Sequence, residues 1–154
     1  MRMSASTIKF QIITPERIVY EDEVDAVILP TKQGEITVLP EHIPLVSSLA
    51  QGELVIRKNS QEIPLVVLGG FVEVNKPSQV TILADMAERV EEIDEERAKA
   101  ARARAEKLMT EEYKDDVKFS DARAALGRSL ARLKVARKYR HRRSQTHIKP
   151  EDQN

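Results

Sequence analysis

Three arginines are the residues of this chain best suited to binding a ligand. Arg128 and Arg132 are four positions apart, so on a helix they project from one face. Arg97 follows Asp94 by three positions in a separate, alanine-rich segment. If the two segments are helices that fold back on each other, the guanidinium groups converge on a polyanion such as a nucleotide phosphate, which arginine binds through its fork of N–H donors.

A purely structural role for these arginines is the alternative. Arginines on exposed helix faces commonly interact with water or with acidic residues about one turn away. Glu95 and Glu106 are the acidic candidates for such pairs in this sequence. Spacing alone leaves both interpretations open.

Residues for catalysis or metal binding are sparse. The chain has three histidines and no cysteine, and His42 stands alone in LPEHIPL, so a structural or solvent-facing role is favoured over that of a base or ligand. Gly69-Gly70 in VVLGGFVEV lacks the G-x-x-x-x-G-K-[ST] pattern of a phosphate loop and precedes strand-like sequence, which predicts a bend or bulge. We therefore expect no metal site and no enzymatic activity.

Charge is balanced overall but segregated along the chain. Lys+Arg and Asp+Glu are both 25, yet residues 128–149 hold nine Lys/Arg and no acid, while residues 111–121 hold five acids. This pattern fits docking surfaces or a solvated basic terminus. It also allows a nucleic-acid-binding adaptor, a β module with a basic helical tail, although the acidic segment would repel DNA and few aromatic residues are present for base stacking.

The first half of the chain has the alternation of β-strands. In TIKFQII, Ile8, Phe10 and Ile12 alternate with polar residues. Apolar runs follow at AVILP, EITVL, ELVIRK, IPLVVLGGFVEV and VTILA, separated by turn-forming residues. Many short strands with close turns predict an antiparallel sandwich or barrel.

The second half has a helical period. Asp94 is suited to cap a helix, and Ser120 is a candidate cap for a second one after a polar turn at residues 113–119. One apolar stripe is predicted at Ala98, Ala101, Ala105 and Leu108, and the other at Ala122, Leu126, Leu130, Leu133 and Ala136. We predict an antiparallel helical hairpin.

Alanine gives this hairpin good helicity but little to bury. At about 25 cal/mol per Å² of apolar surface, an alanine-lined contact stabilises much less than a leucine-lined one. Gly127 lowers the stability of the second helix by about 1 kcal/mol relative to alanine. We therefore expect an arm that keeps its helices yet is weakly packed.

These features together resemble the epsilon subunit of bacterial F-type, proton-transporting ATP synthase. The resemblance covers about residues 8–138 and rests on GEITVLPEHIPLVSSLAQGELVIR, on LGGFVEVNKPSQVTILAD and on the Ala/Arg-rich helical pair that follows. It implies an α+β fold with an antiparallel β-sandwich at residues 1–87 and a two-helix hairpin at residues 88–140. Residues 141–154 lie outside the usual family extent and are expected to form a disordered basic tail.

The resemblance implies a non-catalytic rotor subunit. The sandwich would bind the gamma subunit and the c-ring in the central stalk, and the hairpin would extend toward the alpha/beta catalytic subunits to block ATP hydrolysis. The basic residues of the second helix would suit acidic loops of the beta subunits. No nucleic acid is then an expected partner. No apolar stretch in the sequence is long enough to span a bilayer, so we expect a peripheral protein on the cytoplasmic face of the plasma membrane, held there by the complex.

Some members of this family bind ATP in the folded hairpin through an I/L-D-x-x-R-A motif, which is intact here in IDEERA at residues 93–98. By resemblance, Asp94 and Ile93 would face the adenine, Ala98 would leave room for the base, and the arginines would bind the phosphates. No cofactor is required, and ATP is the expected regulatory ligand. The expected nucleotide-binding residues are Glu88, Ile93, Asp94, Arg97, Ala98, Arg128 and Arg132.

Overall fold

The part of the chain that the structure describes contains ten strands, two helices and a 3-10 turn, joined by short loops. The structure is a computed structural model; it describes residues 6–110 and 116–145, with side chains up to residue 140. The chain divides into two units, Met1–Glu92 and Ile93–Asn154. The elements are β1 (Ile8–Ile13), β2 (Ile18–Val24), β3 (Ala26–Thr31), β4 (Gly34–Val38), β5 (Leu45–Ser48), β6 (Gln51–Lys58), β7 (Gln61–Leu68), β8 (Gly70–Asn75), β9 (Gln79–Ala84), β10 (Ala87–Arg89), the 3-10 turn (Val90–Glu92), α1 (Glu95–Thr110) and α2 (Asp116–Gln145).

The strands form a β-sandwich in the first unit. One sheet has the order β2-β1-β9-β8-β5 and the other β10-β7-β6-β3-β4. The described strand pairs are antiparallel except for β1 and β9, which run parallel. Side chains from both sheets join one core, because alternate residues of each strand face inward. The predicted fold class is confirmed.

The exposure of the side chains in β1 follows the predicted alternation of apolar and polar residues. Ile8, Phe10 and Ile12 are 0–1 % exposed, whereas Lys9 is exposed and Gln11 half-buried. The core of the opposite sheet comes from inward-facing residues such as Leu29, Leu54, Ile56 and Leu65.

Gly69 and Gly70 lie where the chain passes from β7 in one sheet to β8 in the other. Their φ angles are +91° and +116°, a region that side chains rarely adopt. A Cβ on Gly70 would lie 2.1 Å from the carbonyl oxygen of Leu83 and 2.7 Å from the Cα of Ala84. The predicted bend is confirmed, and its second glycine is required both by backbone conformation and by space.

The second unit contains α1 and α2, which pack against each other. An ion pair joins Glu95, the first residue of α1, to Arg140 near the end of α2, so the helices run antiparallel. The predicted cap is confirmed, because Asp94 Oδ1 accepts a hydrogen bond of 3.1 Å from the amide of Arg97.

Small residues line the contact between the helices, as predicted, but two leucines do not. Leu108 and Leu130 are 41 % and 43 % exposed, and their places are taken by half-buried Met109 and by Ser129, which is 1 % exposed. Ser129 Oγ satisfies its donor by bonding the carbonyl of Ala125 at 3.0 Å. Val135 is also buried, on another side of α2. We call the buried stripe on both helices the seam: Ala98, Ala105, Ala122, Ser129, Leu133 and Ala136.

The helix bounds differ from the predicted ones. Residues 116–119 belong to α2, so Ser120 is not its cap, and the predicted turn is too long. The described helix continues to Gln145, beyond the predicted end of the hairpin at residue 140. Residues 111–115 and 146–154 lie outside the described residues. The predicted boundary after residue 87 falls inside β10, and the units divide after Glu92.

Candidate functional site

The first turn of α1 and the two residues before it hold four of the seven predicted nucleotide-binding residues. Ile93 is half-buried, and Asp94 is exposed and caps the helix through its side chain, while its carbonyl accepts from the amide of Ala98 at 3.0 Å. Ala98 is 3 % exposed because it lies in the seam. Arg97 is exposed. The aspartate therefore has a structural role that any ligand role must accommodate.

Two further predicted residues lie on α2, and one lies in the other unit. Arg128 and Arg132 are half-buried in the middle of α2. Glu88 lies in β10 and is half-buried there, opposite Val66 of β7. The helical unit thus contains six of the seven residues, and its arginines (Arg97, Arg128 and Arg132) are called the site arginines below.

The site arginines share one side of the hairpin. Each directly precedes a seam residue: Ala98, Ser129 and Leu133, respectively. One residue of a helix is a rotation of about 100°. In an antiparallel pair, a residue one position before the seam on α1 lies on the same side of the hairpin as a residue one position before the seam on α2. The site arginines therefore project from one side of the hairpin.

Along the hairpin the site arginines form a row. The pairing of Glu95 with Arg140 places Arg132 opposite about residue 103, which is about 9 Å along the axis from Arg97. Arg128 lies one turn, or about 6 Å, further on. A positive row about 15 Å long suits an elongated polyanion better than a single phosphate.

The acidic residues named as alternative partners are bound to other arginines. Glu95 pairs with Arg140, and Glu106 accepts from Arg102 Nε at 2.8 Å. Within the described part of the helical unit, Arg97 and Arg128 form no ion pair. Their charges are thus not neutralised by the neighbours that a purely structural role would use.

An ion pair that the sequence did not reveal lies at the end of the sandwich unit. Glu92 accepts from Arg17 Nη2 at 3.0 and 3.1 Å and from the amide of Arg89 at 2.9 Å. The Arg89 amide and the Arg17 guanidinium lower the pKa of the Glu92 carboxyl, and partial burial opposes them. No local motif signals this contact because Arg17 and Glu92 are 75 positions apart.

A row of apolar side chains crosses the outer face of one sheet. Phe71, Leu83 and Ile18 are 57 %, 54 % and 55 % exposed. Phe71 is paired with Leu83, Leu83 with half-buried Ile13, and Ile13 with Ile18. Adjacent exposed apolar residues of this size are typical of a protein interaction surface. We call Ile13, Ile18, Phe71 and Leu83 the apolar row.

The remaining predictions concern metals and membranes. Nδ1 of His42 lies 2.7 Å from the carbonyl oxygen of Ile43, a local contact that fits a structural role. Among residues 6–110 and 116–140, no group of acidic and histidine side chains could hold a metal ion. Neither described helix has an apolar stretch of the length needed to cross a membrane.

Both units match family models. Residues 7–90 match the β-sandwich domain of the ATP synthase delta/epsilon chain, and residues 91–137 match its long α-helix domain. The ATP synthase epsilon chain of Syntrophobacter fumaroxidans is 50 % identical over 134 residues, covering 87 % of this chain and 98 % of the relative. That of Dehalococcoides mccartyi is 46 % identical over 133 residues, covering 86 % and 94 %.

Solved structures of ATP synthases contain chains that resemble this one in fold. A chain of the Euglena gracilis mitochondrial ATP synthase, from a cryo-EM structure of its OSCP/F1/c-ring assembly in rotational state 1, has a TM-score of 0.74 and 26 % identity, with coverage of 88 % of this chain and 84 % of that one. A chain of the Tetrahymena thermophila mitochondrial ATP synthase central stalk and c-ring has a TM-score of 0.59 at 14 % identity, covering 88 % and 99 %, which shows the fold alone. With two consecutive domain matches and close relatives along most of its length, the chain belongs to the epsilon family of bacterial ATP synthase subunits.

Proposed function

We propose that this chain is a non-catalytic rotor subunit of the ATP synthase central stalk, coupling proton translocation to ATP synthesis. The observation that carries the proposal is the match of both family domains in order, residues 7–90 and 91–137. The proposed partners are the gamma subunit, the c-ring and the alpha/beta catalytic subunits. The chain would lie at the cytoplasmic face of the bacterial plasma membrane, attached through the complex. Family membership favours this role over a nucleic-acid-binding adaptor.

The apolar row is the proposed contact with the gamma subunit. A rotor subunit must transmit torque without dissociating, so its interface needs a buried apolar centre. The row supplies three large side chains that are more than half exposed, on a rigid sheet rather than on a loop. Hydrogen bonding between the neighbouring strands keeps these side chains at a fixed spacing.

Copurification with the gamma subunit of the same synthase tests this role. We expect Phe71→Glu and Leu83→Glu to reduce gamma binding by at least about tenfold, because a charge in the centre of an apolar interface is desolvated without a partner. Thr37→Glu is the matched control, since Thr37 is exposed on β4 of the other sheet. Failure of the unmodified chain to bind gamma would contradict the rotor role, whereas equal binding by all variants would reject only this surface.

The hairpin is proposed to inhibit ATP hydrolysis by changing position. Four of the six seam residues are alanines, so separating the helices or moving them exposes little apolar surface. Such weak packing permits two arrangements that differ by a few kcal/mol, as a conformational switch requires. The positive charges of α2, from Arg123 to Lys138, would suit acidic loops of the beta subunits.

The folded hairpin is proposed to bind ATP along the row of site arginines. Three observations support this: the intact I-D-x-x-R-A motif, the shared side of the arginines, and the absence of ion pairs for Arg97 and Arg128 within the described part of the helical unit. Bound ATP would stabilise the folded form by mass action and thereby disfavour the inhibitory one. Arg132, Arg128 and Arg97 would bind the phosphates, and the turn around Ile93 and Asp94 would contact the adenine.

A further inference from the structure

We propose that the part of α2 beyond residue 137 holds the open end of the hairpin closed, through the ion pair of Arg140 with Glu95. The match to the long α-helix domain ends at residue 137, but α2 continues without interruption to Gln145. Arg140 therefore lies in the part of α2 beyond the residues that match the family model. Its partner, in contrast, lies inside the nucleotide-binding motif.

The contact joins the beginning of α1 to the last part of α2, whereas the chain connects the other ends of the two helices. Arg140 Nη2 donates to Glu95 Oε2, and the Glu95 side chain is 27 % exposed while that of Arg140 is 56 % exposed. Glu95 is the first residue of α1, where a carboxylate is also favoured by the unpaired amides of the first turn. The Glu95 carboxylate thus interacts favourably both with the first turn of α1 and with the Arg140 guanidinium, and the second interaction links α1 to α2.

The position of the pair gives it more influence than its exposure suggests. At the other end of the hairpin, residues 111–115 link the helices covalently, so separation begins at the end that carries Glu95 and Arg140. The seam near this end is formed by Ala98 and Ala136, which bury only methyl groups. A contact of modest strength therefore decides how often the open end separates.

The pair also acts on the motif itself. Glu95 directly follows Asp94 and lies within residues 93–98, so the contact holds the first turn of α1 in the folded hairpin. A ligand that needs this turn in place binds more weakly in proportion to the fraction of molecules in which it is displaced. This regulatory consequence rests on the proposed function, whereas the closure of the hairpin does not.

A double-mutant cycle on the full chain tests the inference, using Glu95→Gln, Arg140→Gln and the double variant. Hydrogen exchange of the amides of residues 98–105 is measured without nucleotide or partner subunits. We expect each single variant to exchange about two- to fivefold faster, and the double variant to exchange no faster than the singles. Salt at about 1 M should produce the same acceleration in the unmodified chain and little in the variants.

Arg137→Gln is the matched control, because Arg137 is exposed on the same helix, loses the same charge, and forms no ion pair among the described residues. It should leave exchange unchanged. The inference is overturned if Arg140→Gln has no effect, if Arg137→Gln has the same effect, or if the two single effects multiply in the double variant. Since no nucleotide is present, these results leave the ATP site and the rotor role untouched.

Discussion

Arg17 and Glu92 are joined by one guanidinium nitrogen that contacts both carboxylate oxygens, at 3.0 and 3.1 Å. The arginine lies in the turn between β1 and β2, and the glutamate is the last residue of the 3-10 turn that ends the sandwich unit. The Arg89 amide donates to the same carboxylate. Glu92 is thus held from two directions at the last residue of the sandwich unit.

The first prediction follows from the pKa of this carboxyl. Because the folded-state pKa of Glu92 is lowered, its contribution to stability is present above the ordinary pKa of 4.5 and is lost as the pH falls through the folded-state pKa. The difference in unfolding free energy between Glu92→Gln and the unmodified chain should therefore be present at about pH 6 and shrink as the pH is lowered below 4.5, as measured by urea unfolding at a series of pH values. A difference in unfolding free energy that is the same at all of these pH values would contradict this account.

The second prediction concerns Gly70. We expect Gly70→Ala to destabilise the sandwich by more than about 3 kcal/mol, since the added Cβ would meet the backbone at Leu83 in a conformation with φ of +116°. Gly34→Ala is the control: its φ is +124° but its Cβ would meet nothing within 4 Å, so only the backbone strain of about 1–3 kcal/mol remains. Denaturant unfolding of both variants separates the two contributions, and equal losses would show that space at Gly70 is not limiting.

The third prediction concerns the seam. Ser129→Leu should destabilise the hairpin by about 1–3 kcal/mol, because the site is 1 % exposed and a larger side chain placed in a closely packed contact forces its neighbours to shift. Ser129→Ala should change stability by less than about 0.5 kcal/mol, since the hydroxyl bonds only its own helix. Hydrogen exchange of the α2 amides provides the measurement. A stabilising effect of the leucine would mean that the seam is not closely packed there.

The fourth prediction concerns the nucleotide. Isothermal titration with ATP should give a binding heat for the full chain, and Arg128→Ala or Arg132→Ala should weaken binding by about tenfold or more, the usual loss for a charge-assisted contact to phosphate. Arg123→Ala is the control, because Arg123 directly follows seam residue Ala122 and so projects from the opposite side of the hairpin. No heat at millimolar ATP, with circular dichroism showing both helices, would reject the site.

The strands of the sandwich can be predicted from the sequence, because a strand with one buried face has an apolar residue at every second position. Ile8, Phe10 and Ile12 show this period and are buried. The helices were harder to place in detail. The hydrophobic pattern predicts Leu108 and Leu130 in the contact between the helices, but both are exposed. Helices that approach closely favour small side chains, and Ser129 fits there because its hydroxyl forms a hydrogen bond within its own helix. The largely polar segment at residues 113–119 predicts a turn, but such a composition also suits an exposed helix, and Asp116–Phe119 belong to α2.

The candidate site was only half predictable. The spacing of Arg128 and Arg132 is enough to put them on one face, but their side of the hairpin depends on Ser129 being buried, which composition does not suggest. The ion pairs of Arg17 with Glu92 and of Arg140 with Glu95 join distant parts of the sequence. Such contacts follow from topology and cannot be read from local pattern.

The length of α2 has a consequence for the enzyme that houses it. A helix rises by about 1.5 Å per residue, so the eight residues from Lys138 to Gln145 add about 12 Å beyond the point where the family model stops. In an extended arrangement, the end of α2 would therefore lie about 12 Å further along the helix axis than residue 137. If the hairpin extends as proposed, the surrounding catalytic subunits would have to leave room for this extra length, which a helix ending at residue 137 would not need.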